Sequence, residues 1–230
     1  MLHFHHHPPS PHRTPETGGA VIHWAQVYDA LFDRILRPSE ASIHALAQVK
    51  PGDQVLDVGC GPGRLTLAAQ RWVGPTGEAQ GIDPSPEMIA TARRNAAQAG
   101  LAVKFQVSRV EGLPFPDATF DVVVSRLVMH HLSGDLKQRG LAEMRRVLKP
   151  GGLCLAVDFE PPTAPFLRLA VWHFLSPGMT KIDVRDYVPL LTEAGFAEVE
   201  TGPTGSKFLS FVRGRSPEIS NLLINKENTQ

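Results

Sequence analysis

Residues 55–65 read Val-Leu-Asp-Val-Gly-Cys-Gly-Pro-Gly-Arg-Leu, a short apolar run that ends in three alternating glycines. Val55, Leu56 and Val58 suit a strand buried on both faces. Gly59, Gly61 and Gly63 let the backbone turn sharply and come close to a ligand before a helix begins. Such a loop is either a nucleotide-binding turn or a tight strand-to-helix turn, and its neighbours decide between them. A second apolar-flanked stretch, Glu78 to Ile82, ends in Asp83. That acid lies about twenty residues past the loop, where an open α/β sheet presents a carboxylate to ribose hydroxyls. Loop and acid together predict a nucleoside site at the carboxyl ends of the strands.

The spacing narrows the nucleoside. A dinucleotide fingerprint needs its third glycine three positions after the second, so that helix packs on strand. Arg64 stands at that place, and the glycines fall at 59, 61 and 63 instead. Asp57 sits in the strand end, where its carboxylate either holds the loop or meets a ligand's ammonium group.

Several further segments follow in order. They are Gly81-Ile82-Asp83-Pro84-Ser85 with Met88, Leu113-Pro114-Phe115-Pro116-Asp117 leading into Phe120-Asp121-Val122-Val123, and Leu148-Lys149-Pro150-Gly151-Gly152. With the glycine loop, this series resembles the class I S-adenosylmethionine-dependent methyltransferases, and among them the small-molecule branch typified by ubiquinone/menaquinone-biosynthesis methyltransferases. The resemblance runs from about Tyr28 to Arg213. It implies a Rossmann-like α/β domain: a doubly wound, mostly parallel sheet of seven strands, helices on both faces, the last strand antiparallel. It also implies S-adenosylmethionine as cofactor, transfer of its methyl group to a small, fairly apolar acceptor, and S-adenosylhomocysteine as product.

Carried over by position, the resemblance implies that the amides of Gly59, Cys60, Gly61 and Gly63, with Asp57, handle the methionine end. Asp83 would hold the ribose with Met88 near that end, Pro84, Val110 and Glu111 would surround the adenine, and Tyr28 and Ser125 would also line the site. One position departs from the pattern. Where the family usually has Gly-Asp-Ala-Glu, this chain has Ser108-Arg109-Val110-Glu111. The usual Asp accepts from the adenine amino group, whereas Arg109 carries only donors; at the cofactor site it either stacks or points away, leaving the Val110 backbone and Glu111 to serve the adenine. That departure keeps open a nucleoside-binding protein without methyl transfer. An NAD-dependent oxidoreductase is argued against by Arg64.

After the fourth predicted strand, Phe120 to Ser125, the chain reads Arg126-Leu127-Val128-Met129-His130-His131-Leu132. It has no Asn/Asp-Pro-Pro-aromatic block of the kind that amino-methylating enzymes of DNA carry here. An imidazole titrates near neutrality, so His131, ahead of His130, is the candidate catalytic base. A purely structural role in the loop and helix start is the alternative.

The chain has 230 residues, 42% hydrophobic and 20% charged, which fits one domain with a sizeable core. Lys plus Arg equals Asp plus Glu, so net charge points to neither nucleic acid nor an anionic membrane. Two cysteines, Cys60 and Cys154, make no disulfide framework and no spaced metal set, which fits a cytoplasmic protein. No apolar stretch is long enough to span a bilayer.

Residues 1–18, rich in His and Pro, are expected to be a disordered, tag-like arm; a metal site at its histidines is argued against by the lack of Cys, Asp or Glu at ligand spacing. The domain is expected over 19–213, with a helical preface at 20–49 and a flexible tail at 214–230. Within that domain the apolar run at 161–180 reads as a lid over the acceptor, as a surface for transient membrane contact, or as plain core. Along the helix from Ser85 to Gly100, Met88, Ala92, Ala96 and Ala99 are expected to form the buried stripe. In the helix from Asp135 to Leu148, stopped by Pro150-Gly151-Gly152, Arg145, Arg146 and Lys149 are expected on a solvated face. Glu160, just past the fifth strand, is a further candidate at the acceptor site.

Overall fold

The computed structural model describes residues 40–160, 183–206 and 209–218. Tyr28, the arm at 1–18, the run at 161–180 and most of the tail lie outside the described residues. Among these residues strands and helices alternate. The order is α1 (Glu40–Ala47), β1 (Gln54–Val58), α2 (Arg64–Val73), β2 (Glu78–Asp83), α3 (Pro86–Ala99), β3 (Lys104–Val107), β4 (Phe120–Arg126), α4 (Gly134–Val147) and β5 (Leu148–Phe159). After the undescribed stretch come α5 (Tyr187–Glu193), β6 (Ala197–Pro203) and β7 (Leu209–Arg215).

The seven strands form one sheet in the order β3-β2-β1-β4-β5-β7-β6. The pairs among β1 to β5 are parallel, and β7 runs antiparallel to both β5 and β6. The expected Rossmann-like topology is thus present. Strand order reverses between β1 and β4, and a crevice at such a switch point is where open α/β sheets bind ligands.

Period-two alternation divides the core between the two faces. Leu56 and Val58 of β1 join Val123, Cys154 and Ala156 under α4 and α5, through Leu141, Met144, Val147, Tyr187 and Leu191. Val55 points the other way, with Val122, Val124 and Leu155, against Ile43 and Ala47 of α1 and Leu65, Ala69 and Val73 of α2. A third cluster under α3 joins Cys60, Leu67, Ile89, Ala92, Ala96 and Phe105.

Four local expectations need correction. In α3, Ala99 is exposed and Ile89 is 1% exposed, so the buried stripe comprises Met88, Ile89, Ala92 and Ala96. Ala99 lies in the last turn, beyond the width of sheet that the helix covers. In α4, Arg146 does not face solvent freely. Its guanidinium donates to the carbonyls of Leu113 and Phe115, at 2.9 and 2.8 Å, and pairs with Glu143 and Asp117, each at 2.7 Å. Pro150-Gly151-Gly152 does not stop that helix. The backbone turns extended at Leu148 (φ −76°, ψ 137°), and β5 begins there. At the other end, β7 continues past Arg213 to Arg215, and Ser216 exchanges backbone bonds of 2.8 and 2.9 Å with Gly152 and Gly151.

Candidate active site

At the end of β1 the glycine loop is tied down on every side. The amides of Gly59 and Cys60 both donate to the Ile82 carbonyl at 2.8 Å, Gly63 N donates to Cys60 O at 2.9 Å, and Asn95 of α3 donates its side-chain amide to Pro62 O at 2.9 Å. Gly61 N donates to Asp83 Oδ2 at 2.9 Å. All four N–H groups are therefore donated inside the protein, and what the loop turns outward is space.

That space lies at one glycine. Gly59, Gly61 and Gly63 have φ of +74°, +51° and +83°, the left-handed region that L side chains resist. A Cβ added at Gly59 would lie 2.2 Å from Val128 Cγ2, and one at Gly63 would lie 2.8 to 2.9 Å from Phe105 and Ala92. A Cβ at Gly61 would meet nothing within 4 Å among the described residues. Gly59 and Gly63 are thus packing glycines, while Gly61 borders an open cradle.

Two carboxylates border the same loop. Asp57 is 1% exposed and accepts from Thr66 Oγ1 at 2.7 Å. Burial pushes its carboxyl up to about 6, and the Thr66 hydrogen bond and then the Arg126 charge only partly oppose this. Asp83 is buried too. Its Oδ1 accepts from Ser85 N at 2.9 Å, and burial raises its pKa against the hydrogen bonds from Ser85 and Gly61. Clustered carboxyls held above their ordinary range are a functional-site signature.

The other predicted residues fall around this centre in distinct ways. Pro84 is exposed beside buried Asp83, and Met88, 4% exposed, donates its amide to the Ser85 cap at 3.2 Å. Cys60 is buried, with its thiol pushed well up first by burial and then by Asp57. Ser125, 2% exposed, donates to the Val58 carbonyl at 3.0 Å, clamping the carboxyl ends of β4 and β1. Val110 packs into α4, where a Cβ on Gly140 would lie 2.8 Å from it. Arg109 lies 3.8 Å from Glu111, so the residue that departs from the pattern is matched by the carboxylate next to it.

β4 leaves the sheet through Leu127, whose φ of +60° is a rare conformation for a branched aliphatic residue. The bend carries Val128 over Gly59 and leads into a 3₁₀ turn, Met129–His131. His131 is exposed, and desolvation of its ring together with the neighbouring His130 lowers its pKa. Glu160 is anchored to Ser210 of β7. The sequence reading did not single out Thr66, Asn95, Phe105 or Val128. Of these, Phe105 left a signal, as the aromatic of the alternating run Val103-Lys104-Phe105-Gln106-Val107; in the structure a Cβ on Gly81 would lie 2.8 Å from its ring.

At the opposite, amino-terminal edge of the sheet lies a cleft of about 300 Å³, bordered by Lys50, Asp53, Asp121, Lys149, Gly151 and Arg215. Lys149 and Asp121 pair there at 2.8 Å, and Arg215 donates to the Gly151 carbonyl at 3.0 Å. It is remote from the glycine loop.

Residues 55–152 match a family model described as a methyltransferase domain. The chain carries a class I S-adenosylmethionine-dependent methyltransferase domain, a family whose cosubstrate is S-adenosylmethionine. It is 35% identical over 141 residues to the demethylmenaquinone methyltransferase of Symbiobacterium thermophilum, which covers 60% of this chain and 55% of that protein. It is 38% identical over 160 residues to a ubiquinone/menaquinone biosynthesis C-methyltransferase of Burkholderia mallei, covering 68% of this chain and 65% of the relative. The chain thus spans between half and two thirds of the length of these two relatives. A crystal structure of a SAM-dependent methyltransferase from Aquifex aeolicus superposes with a TM-score of 0.68 at 23% identity, over 83% of this chain and 97% of that one. The residues present fit the cosubstrate: an open cradle at Gly61, whose amide holds the Asp83 carboxylate suited to vicinal hydroxyls, with a second buried carboxylate, Asp57, in the strand before the loop, suited to a cationic amino-acid end.

Proposed function

We propose that this protein transfers a methyl group from S-adenosylmethionine to a small, fairly apolar acceptor, leaving S-adenosylhomocysteine. The observation that carries the reading is the cradle at Gly61, bonded to buried Asp83 and following the strand that carries buried Asp57, at the switch point of the sheet. When bound, the cosubstrate supplies a sulfonium methyl open to in-line displacement. Asp83 holds ribose hydroxyls, Asp57 gives the amino-acid ammonium a buried countercharge, and Gly61 leaves room for the methionine chain. Met88 lies at the ribose end, and Pro84, Val110 and Glu111 border the adenine. Alignment of the two reactants lowers the barrier by about 7 to 11 kcal/mol where geometry is good.

The relatives' names support a carbon of a quinone such as demethylmenaquinone as the acceptor, and we take its reduced form, whose ring is electron-rich enough to attack a sulfonium methyl. Among the described residues no helix is long and apolar enough to cross a membrane. Incubation with S-adenosylmethionine and demethylmenaquinol, with detection of S-adenosylhomocysteine and of methylated quinone, tests the proposal. Formation of both is the expected result. Tight binding of S-adenosylmethionine with no methyl release to any acceptor would instead favour a nucleoside-binding role.

A further inference from the structure

Asp158, at the end of β5, is fully buried and accepts four hydrogen bonds. Its Oδ1 takes the Phe159 amide at 2.8 Å and His130 Nδ1 at 2.7 Å, and its Oδ2 takes the His130 amide at 3.0 Å and the Tyr187 hydroxyl at 3.3 Å. One carboxylate therefore grips His130 by both main chain and ring. The ring is packed as well, edge-on to Phe159 at 5.3 Å and tilted over His131 at 3.9 Å between centroids. Burial, and then Asp158, raise the Tyr187 hydroxyl above its ordinary range, so it stays a neutral donor. Lys137 lies over the Tyr187 ring at 5.3 Å.

With Nδ1 committed to a carboxylate, Nε2 is the remaining ring nitrogen. It meets no partner among the described residues, and none of their buried side-chain nitrogens or oxygens is left unsatisfied, so Nε2 keeps contact with solvent in a side chain that is 10% exposed. His130 is also two residues past Val128, which packs over Gly59 of the loop. A carboxylate that fixes the tautomer and orientation of an imidazole is the arrangement of a general base. Among the described residues His131 has no carboxylate hydrogen-bonded to its ring.

We infer that His130, fixed in its Nδ1–H tautomer by Asp158, is the group that takes the acceptor's proton during methyl transfer, with Asp158 and Tyr187 as positioning residues. The inference rests on the methyltransferase reading above and moves the base from His131 to its neighbour. As the acceptor atom bonds to the methyl carbon, its proton passes to His130 Nε2. The methyl–sulfur bond breaks with its electron pair left on sulfur. The positive charge of the sulfonium thereby reappears on the imidazolium, next to the Asp158 carboxylate.

The first test needs no turnover. Long-range ¹H–¹⁵N spectra of the full chain, assigned with His130→Asn, are expected to show neutral His130 protonated at Nδ1. The Nε2–H tautomer would overturn the inference. The second test follows transfer to demethylmenaquinol. His130→Asn keeps a donor where Nδ1 stands, so the Asp158 bond survives while Nε2 is lost. It is expected to lower kcat by about 100-fold or more with S-adenosylhomocysteine affinity within about twofold, while added imidazole revives His130→Ala. Unchanged kcat in His130→Asn, or the same loss in His131→Asn with none in His130→Asn, would leave Asp158 as a staple of the turn and nothing more. Failure of the parent reading looks different: the wild-type chain then binds no S-adenosylhomocysteine, whatever the tautomer.

Discussion

Asp57 is buried with its carboxyl pushed up to about 6, and this has two consequences of opposite use to the protein. The first concerns stability. Between about pH 4 and 6 the folded chain holds a proton on Asp57 that the unfolded chain has released, so stability falls as pH rises through that window. The total is about 3 kcal/mol, and none of it is recovered above pH 6. Asp57→Asn, which can still accept from Thr66, is expected to be more stable than wild type at pH 8 and to flatten the window. Urea denaturation at pH 4.5 and 8 measures both. The second concerns binding. A ligand ammonium favours the ionised carboxylate, so affinity for S-adenosylhomocysteine should fall as pH drops below about 6, with raised Asp83 acting in the same direction. Titration calorimetry at pH 5 and 7.5 is expected to show binding several-fold weaker at pH 5, and a smaller difference in Asp57→Asn. Both aspartates were legible in the sequence because each ends a strand beside a ligand-facing loop. Their burial was not, because it depends on Thr66, Ser85 and Gly61 closing over them.

The glycine loop and the turn after β4 act as one packed unit, joined where Val128 lies over Gly59. Gly59→Ala combines a left-handed alanine with a 2.2 Å clash against Val128, so it should cost about 2 to 4 kcal/mol. Val128→Ala, removing the two nearest atoms, should recover part of that loss in the double variant, as read by chemical denaturation. The same logic applies across the sheet, where Arg146 ties α4 to the 113–117 loop. Arg146→Met is expected to destabilise the chain by about 2 kcal/mol, since two loop carbonyls and Glu143 lose a charged donor. The strands and helices themselves were legible as apolar runs of the right length and period. Arg146 was not, because helix periodicity puts it on the outer face, and only the folded 113–117 loop brings partners to it. The run from Lys149 to Gly152 misled in a related way. Proline and glycine there read as a helix stop, yet the parallel partner Phe120 pairs with Leu148 and draws those residues into β5.

At the scale of the whole molecule, seven strands in the order β3-β2-β1-β4-β5-β7-β6 bring the loop after β1, the acid of β2 and the histidine turn of β4 to one edge of the sheet. Alternating elements announced the sheet, and family resemblance supplied the antiparallel β7. The pairing of His130 with Asp158 joins residues 28 apart and could not be read from either segment alone. The central claim is that the cradle at Gly61 holds S-adenosylmethionine. Gly61→Asn tests it most directly, because asparagine tolerates a φ of +51° and its Cβ would meet no atom of the described residues within 4 Å. Titration calorimetry with S-adenosylhomocysteine should give one site per chain in wild type. The variant should bind at least about 100-fold more weakly, a difference of about 3 kcal/mol, with its thermal midpoint within a few degrees of wild type. Equal affinity in the two proteins, or no binding by wild type, would contradict the account.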